Sequence, residues 1–195
     1  MQRSDEALAQ IGHALELDPL SLVVNCHKGW IFYFARRHED AIEQLQKTIE
    51  MDEDFLLAEY FLGLVYMRTA QYTEASNQFA KAREDGKDHP ATVAGLAAAL
   101  ALCGKKSKAN ELLNGLEAIA KRQYVDPYYF VMPQLALGNE ERAFNWLEKA
   151  YEERSVYMSN LKADPALDSL RSGNRFTRLL RRVGLPHDAG SVSAP

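Results

Sequence analysis

The chain has 195 residues, 47% of them hydrophobic and 26% charged, with a net charge of −4. That is enough chain to bury a substantial core, in one domain or two small ones, and the charge balance gives no general reason to expect nucleic acid or an anionic membrane as partner. No apolar run approaches the ~20 residues that span a bilayer, the opening MQRSDEALAQ is polar, and Cys26 and Cys103 share no zinc or disulfide spacing, so the reading is a reduced, cytoplasmic protein.

From the N-terminus, DEALAQIGHALELDP sets Ala7, Ile11 and Ala14 at helical spacing. SLVVNCHKGWIFYFAR follows, a helix apolar almost all round. After the polar break RRHED comes EDAIEQLQKTIEMD, with Ala41, Leu45 and Thr48. The same order repeats: LLAEYFLGLVYMR, the break TAQYTE, then TEASNQFAKARED with Ala75, Phe79 and Ala82. It repeats again through ATVAGLAAALALC, CGKKSK and the helix opened by Ala109 and Leu113, and finally through DPYYFVMPQLALG, GNEE and ERAFNWLEKAYEER with Ala143 and Leu147. Each opening alanine stands 34 positions after the last. A second small site precedes it, occupied by Gly29, Gly63 and Ala97, with Val131 breaking the pattern.

Each unit therefore reads as two helices joined by a tight turn, and a fixed period of this size marks a solenoid. A small residue lets two helix backbones approach, and the large residue one turn away fills the adjoining gap. A single hairpin cannot bury its apolar stripe, so copies stack and share a core. Pro19, Pro90, Pro127 and Pro165 fall where helices start or stop. Asp126-Pro127 and Asp164-Pro165 read as N-cap followed by first helical residue. Pro133, inside a predicted helix, should kink or tighten it. Only SVYMS hints at extended chain.

Period 34, glycine followed by alanine twelve later, aromatic residues such as Tyr66 and Tyr72, and LELDP together resemble the tetratricopeptide repeat. The resemblance implies an all-α, right-handed superhelical solenoid of antiparallel helix pairs with a C-terminal capping helix. The solenoid would occupy 1–154: a half repeat at 4–19, then repeats at about 22–55, 56–89, 90–123 and 124–154. A capping segment at 155–186 and a disordered tail at 187–195 would follow. Asn25 and Lys28 depart from the family pattern, which usually has bulky apolar residues there. The block LKADPALDSLRSGNRFTRLLRRVGLP resembles the cap of tetratricopeptide segments in bacterial signalling proteins and transcriptional regulators. The half repeat is a second helix without its first, so Ala7, Ile11 and Ala14 would lack cover unless the chain is a fragment or another subunit supplies it.

In the last block Phe176, Leu179, Leu180 and Val183 form one apolar stripe, with Asn174 as N-cap and Gly184 as stop. Arg171, Arg175, Arg178, Arg181 and Arg182 crowd the same stretch and read as a solvated face rather than a nucleic-acid patch. GKKS at Gly104 has Ala99 where a phosphate loop requires glycine, and His38-Glu39 has Ile42 where a zinc helix requires its second histidine. Cys26 and His27 are adjacent on a helix and point apart. No catalytic, cofactor-binding or metal-binding residue is expected.

The resemblance also implies that the first helix of each unit lines the concave side. This places Val23, Cys26, Trp30, Tyr33 and Phe34, then Leu57, Tyr60, Phe61, Leu64 and Met67, along a groove. Ala91, Ala94, Gly95, Ala98 and Ala101 would leave room for a close approach. The Lys, Asn and Arg clamp by which chaperone-binding members hold a C-terminal carboxylate is replaced here by Cys26, Trp30, Leu57, Phe61 and Gly95. The expected function is a non-enzymatic protein–protein interaction module, part of a bacterial regulatory or signalling protein. It would take an apolar or aromatic peptide, a helix, or the protein's own segment, and Trp30, Tyr33, Tyr60 and Phe61 should be substantially exposed. The alternatives are ordinary inter-repeat packing, a homodimerisation module, and an enzyme accessory domain; neither nucleic acid nor membrane is expected as a direct partner.

Overall fold

Small residues recurring against large ones produce stacked helical hairpins. A computed structural model of the chain describes residues 2–85 and 88–185, so the tail expected at 187–195 lies outside the described residues. α1 (Gln2–Leu17) packs on α2 (Leu22–Phe34), which pairs with α3 (His38–Met51). The hairpins α4 (Leu56–Arg68) with α5 (Tyr72–Asp85), and α6 (Pro90–Leu102) with α7 (Lys106–Ala120), continue the stack. In the fourth unit the first helix is split into a 3₁₀ turn, Pro127–Phe130, and the short α8 (Val131–Ala136), which pairs with α9 (Glu140–Glu152). Pro133 accounts for part of this: it has no N–H to donate to the carbonyl four residues back. Asp126 caps the turn by accepting from the Tyr128 N–H at 2.9 Å.

The skeleton alanines Ala41, Ala75, Ala109 and Ala143 are wholly buried, as are Leu45, Phe79 and Leu147. Ala7, Ile11 and Ala14 are only half-buried, on a helix that packs against α2. A Cβ added at Gly29 would lie 2.6 Å from Leu45, which shows how close the two helices run. The third unit keeps this register, with Ala97 wholly buried in one cluster with Leu113. Gly95, two positions before Ala97, is the residue against Phe79. Of the α6 face expected to leave room for a ligand, Gly95 takes the Phe79 ring and Ala98 and Ala101 are covered, while Ala91 and Ala94 line open space. Asn25 has a polar role in place of the family's apolar one, donating to the Pro19 and Ser21 carbonyls and accepting from Gln44 at 3.0 Å.

One turn recurs between the two helices of each unit. The residue in left-handed conformation is Arg36, Ala70, Gly104 and Gly138, again at the 34-residue period. Each is followed by an N–H that reaches back to the carbonyl five residues earlier, as from Arg37 to Phe32 and from Gln71 to Tyr66, satisfying the last carbonyls of the helix. Glycine takes this conformation without strain, whereas Arg36 and Ala70 hold it against their Cβ.

Beyond α9, SVYMS is not extended: Ser155 caps a 3₁₀ turn, Val156–Asn160, and no strand occurs among the described residues. A second 3₁₀ turn, Pro165–Leu170, is capped by Asp164 through the Ala166 N–H. α10 (Asn174–Val183) starts one residue earlier than expected, with Gly173 rather than Asn174 as cap, and stops at the left-handed Gly184. Leu161, Leu167, Leu170, Phe176 and Leu179 pack onto Phe144 and Leu147 and close the end of the solenoid. Arg178, Arg181 and Arg182 are exposed, as a solvated face requires, but three of the arginines also make ties: Arg171 bonds Asp168, Arg175 bonds Glu141 at 2.9 Å and lies over the Phe144 ring, and Arg182 bonds Glu148 at 2.6 Å over Tyr151. No described helix is long and apolar enough to cross a membrane.

Candidate functional site

Because the first helix of each unit faces inward, α2, α4 and α6 form one wall of a shared interior. α2 contributes Trp30, Tyr33 and Phe34, and α4 contributes Leu57, Tyr60, Phe61 and Leu64. From α6 only Ala91, Thr92 and Ala94 reach this space, and their small side chains leave it open. The opposite wall comes from the irregular part of the chain: Tyr128 and Tyr129, then Tyr157, Asp164 and Leu167. Together they enclose a cavity of about 330 Å³. Its rings interlock, with Trp30 on Phe61 at 4.2 Å between centroids and Tyr157 against both Tyr128 (5.6 Å) and Tyr129 (5.3 Å). The Tyr129 and Tyr157 hydroxyls share a 2.8 Å hydrogen bond.

Asp164 is the carboxylate of this wall; His89, which also lines the cavity, accepts from the Ala91 N–H through Nδ1 at 3.3 Å. The Asp164 Oδ1 accepts from the Tyr33 hydroxyl at 3.3 Å and from the Ala166 N–H at 2.8 Å; its Oδ2 accepts from the Tyr128 hydroxyl at 2.7 Å. Burial, then the charge of Asp164, pushes the Tyr33 and Tyr128 hydroxyls well above the ordinary phenol range. Tyr60 is raised by burial, by Tyr157 and by Asp164. All three stay protonated donors at any physiological pH.

Beside the cavity, Arg36 binds Asp168 with two bonds, 2.6 and 2.8 Å, and Arg171 binds the same carboxylate at 2.6 Å, with Arg68 at 3.9 Å. Burial would raise the Asp168 carboxyl, but these guanidinium bonds outweigh it and hold it below its ordinary value. The two contacts Tyr33–Asp164 and Arg36–Asp168 join residues 131 and 132 positions apart. They tie the first full hairpin to the capping segment across the concave face.

Seven of the ten residues expected on the groove meet in this cavity: Trp30, Tyr33, Phe34, Leu57, Tyr60, Phe61 and Leu64. Met67 lines a smaller adjoining cavity of about 170 Å³ with Arg68 and Leu102. Cys26 is fully buried among Ala41, Leu45 and Ala58, where burial pushes its thiol up to about 12, and Val23 stands outside both cavities, 51% exposed. Trp30 and Tyr60 are half-buried. The expected exposure fails outright for Tyr33 and Phe61, each only 4% exposed, because the interior they face is covered by the capping segment and by neighbouring rings. Sequence reasoning did not find Tyr128, Tyr129, Tyr157 or Asp164 as site residues. The tyrosine density of DPYYF and the cap signal at Asp164-Pro165 were visible, but nothing in the sequence brings them opposite α2.

Solved structures share the architecture. The chain matches MamA at 20% identity, covering 77% of this chain and 88% of that one, with a TM-score of 0.55. It matches YrrB, described as a tetratricopeptide repeat protein with an unusual peptide-binding site, at 17% identity over 89% of this chain and 90% of that one, with a TM-score of 0.53. A tetratricopeptide repeat protein from Parabacteroides merdae aligns at 16% identity over 96% of this chain and 74% of that one, with a TM-score of 0.66. No family profile and no curated protein sequence matches. At these identities the likeness shows the fold: an all-α solenoid of the tetratricopeptide-repeat type.

Proposed function

We propose that the protein is a non-enzymatic interaction module that binds an apolar or aromatic peptide segment in its concave face, within a bacterial regulatory or signalling system in the cytoplasm. The observation that carries this reading is the cavity in which seven expected groove residues converge, walled by aromatic rings and open where α6 has only small side chains. Its size narrows the range of occupants: pockets for small ligands run from about 300 to 1,000 Å³, so about 330 Å³ suits one or two anchoring side chains rather than a whole helix. Part of the groove already holds the protein's own segment, Pro165–Leu170, which supports an extended partner entering beside it. The peptide-binding description of YrrB agrees with this use of the fold. The test is selection of displayed random peptides on the wild-type protein, with affinities then measured on Leu57→Arg, which places a charge in the wall. Selected peptides should bind the wild type and lose at least tenfold on the variant while its melting temperature stays close. Peptides that bind both equally would refute the groove.

A second reading, homodimerisation, is supported by the apolar edge beside α1, where Leu17 and Leu20 are 89% and 77% exposed. Sedimentation over a range of concentrations distinguishes it: a monomer at every concentration refutes self-association.

A further inference from the structure

The cavity is aromatic, but it is not neutral. Asp164 faces it with two oxygens, which offer about four acceptor positions. Three are taken, by the Tyr33 hydroxyl, the Ala166 N–H and the Tyr128 hydroxyl, and the open one is on Oδ2. None of these donors carries charge. The nearby guanidiniums of Arg36 and Arg171 are hydrogen-bonded to Asp168 instead, and Arg171 reaches only the backbone carbonyl of Asp164. Arg68 opens onto the adjoining cavity. The Tyr60 hydroxyl lies in the same wall.

This arrangement selects among occupants. A purely apolar side chain would seal Asp164 away from water with no charged group bonded to its carboxylate, Arg36 acting on it only through space, and a buried ion without a bonded partner is strongly unfavourable. An anion would add repulsion. A cation on an apolar stem answers both demands, because ring faces attract cations, more strongly as water is excluded. We propose that the cavity takes an alkylammonium group, the end of a partner's lysine side chain, with the ammonium on Asp164 and the methylene stem along the aromatic wall. This rests on the groove reading above and names the anchor that the peptide supplies.

The test uses the full chain and a matched pair of probes, n-hexylammonium chloride and 1-hexanol, titrated at neutral pH by saturation-transfer NMR and tryptophan fluorescence, Trp30 being in the wall. Hexylammonium should bind at least tenfold tighter than hexanol, and the preference should weaken with salt. Asp164→Asn, which keeps the cap acceptor, should remove the preference while leaving hexanol binding within about twofold. If that variant does not fold, the salt series and the wild-type pair decide alone. The peptide Ac-Leu-Lys-Leu-NH2 should outbind its norleucine counterpart by a similar factor. A preference seen only with the free amine would overturn the lysine assignment. Hexanol binding as tightly as hexylammonium would overturn the cation while the groove reading stands. Neither probe binding would overturn both.

Discussion

Gly95→Ala adds one methyl group to α6, and the structure sets the consequence. A Cβ there would lie 2.5 Å from Cε1 and 2.6 Å from Cδ1 of Phe79. The ring cannot retreat toward α4, since a Cβ on Gly63 would meet the same ring at 2.8 Å, and Phe79 is wholly buried. Overpacking a core costs ~1–3 kcal/mol, and a ring held between two helices belongs near the upper figure. Replacing glycine by alanine within a helix returns ~1 kcal/mol through propensity, so the net loss is about 2 kcal/mol. For a chain of this size that lowers the melting temperature by roughly 4–8 °C. Gly115→Ala is the control: it lies within α7, is exposed, and has nothing within 4 Å of the position a methyl group would take, so it should gain about 1 kcal/mol. Urea unfolding and thermal melts followed by far-UV circular dichroism measure both. Phe79→Leu in the Gly95→Ala background should recover part of the loss, a coupling that a double-mutant cycle reads directly. If Gly95→Ala is as stable as Gly115→Ala, Phe79 is not the wedge that holds α4 and α6 at this spacing.

Ala70 sits at φ 60 in a turn where the third and fourth units use glycine, so Ala70→Gly should stabilise the protein by about 1 kcal/mol in the same urea assay. Cys26, buried and pushed up to about 12, has roughly one thiolate in ten thousand at pH 8; an aromatic disulfide reagent should modify the half-exposed Cys103 and reach Cys26 only in denaturant. The Asp168 carboxyl is held below its ordinary value, so its contribution to stability is present above the unfolded carboxylate pKa of about 4 and is lost as pH falls through the lower folded value. Asp168→Asn should therefore be less stable than wild type at pH 7, with the difference shrinking below about pH 4 in stability curves measured across the acid range.

Most of the fold was legible because each hairpin repeats one local rule. Ala41, Ala75, Ala109 and Ala143 and their bulky partners are buried where the period places them, and helix periodicity depends only on neighbours three and four positions away. The left-handed turn residues obey the same period, hidden because Arg36 and Ala70 occupy it in the first two units. Trp30, Phe34, Leu57 and Leu64 follow from that rule together with the family's inward first helix, and they line the cavity. The tertiary structure alone decided that Gly95 of α6 would take Phe79 of the preceding unit, a contact between hairpins rather than within one. It alone decided that Cys26 is core. It also decided that Asp164 would lie opposite Tyr33 and Asp168 opposite Arg36, pairs separated by more than a hundred residues. Contacts across the concave face depend on the accumulated rotation of every hairpin between them, and no local pattern of residues encodes that sum.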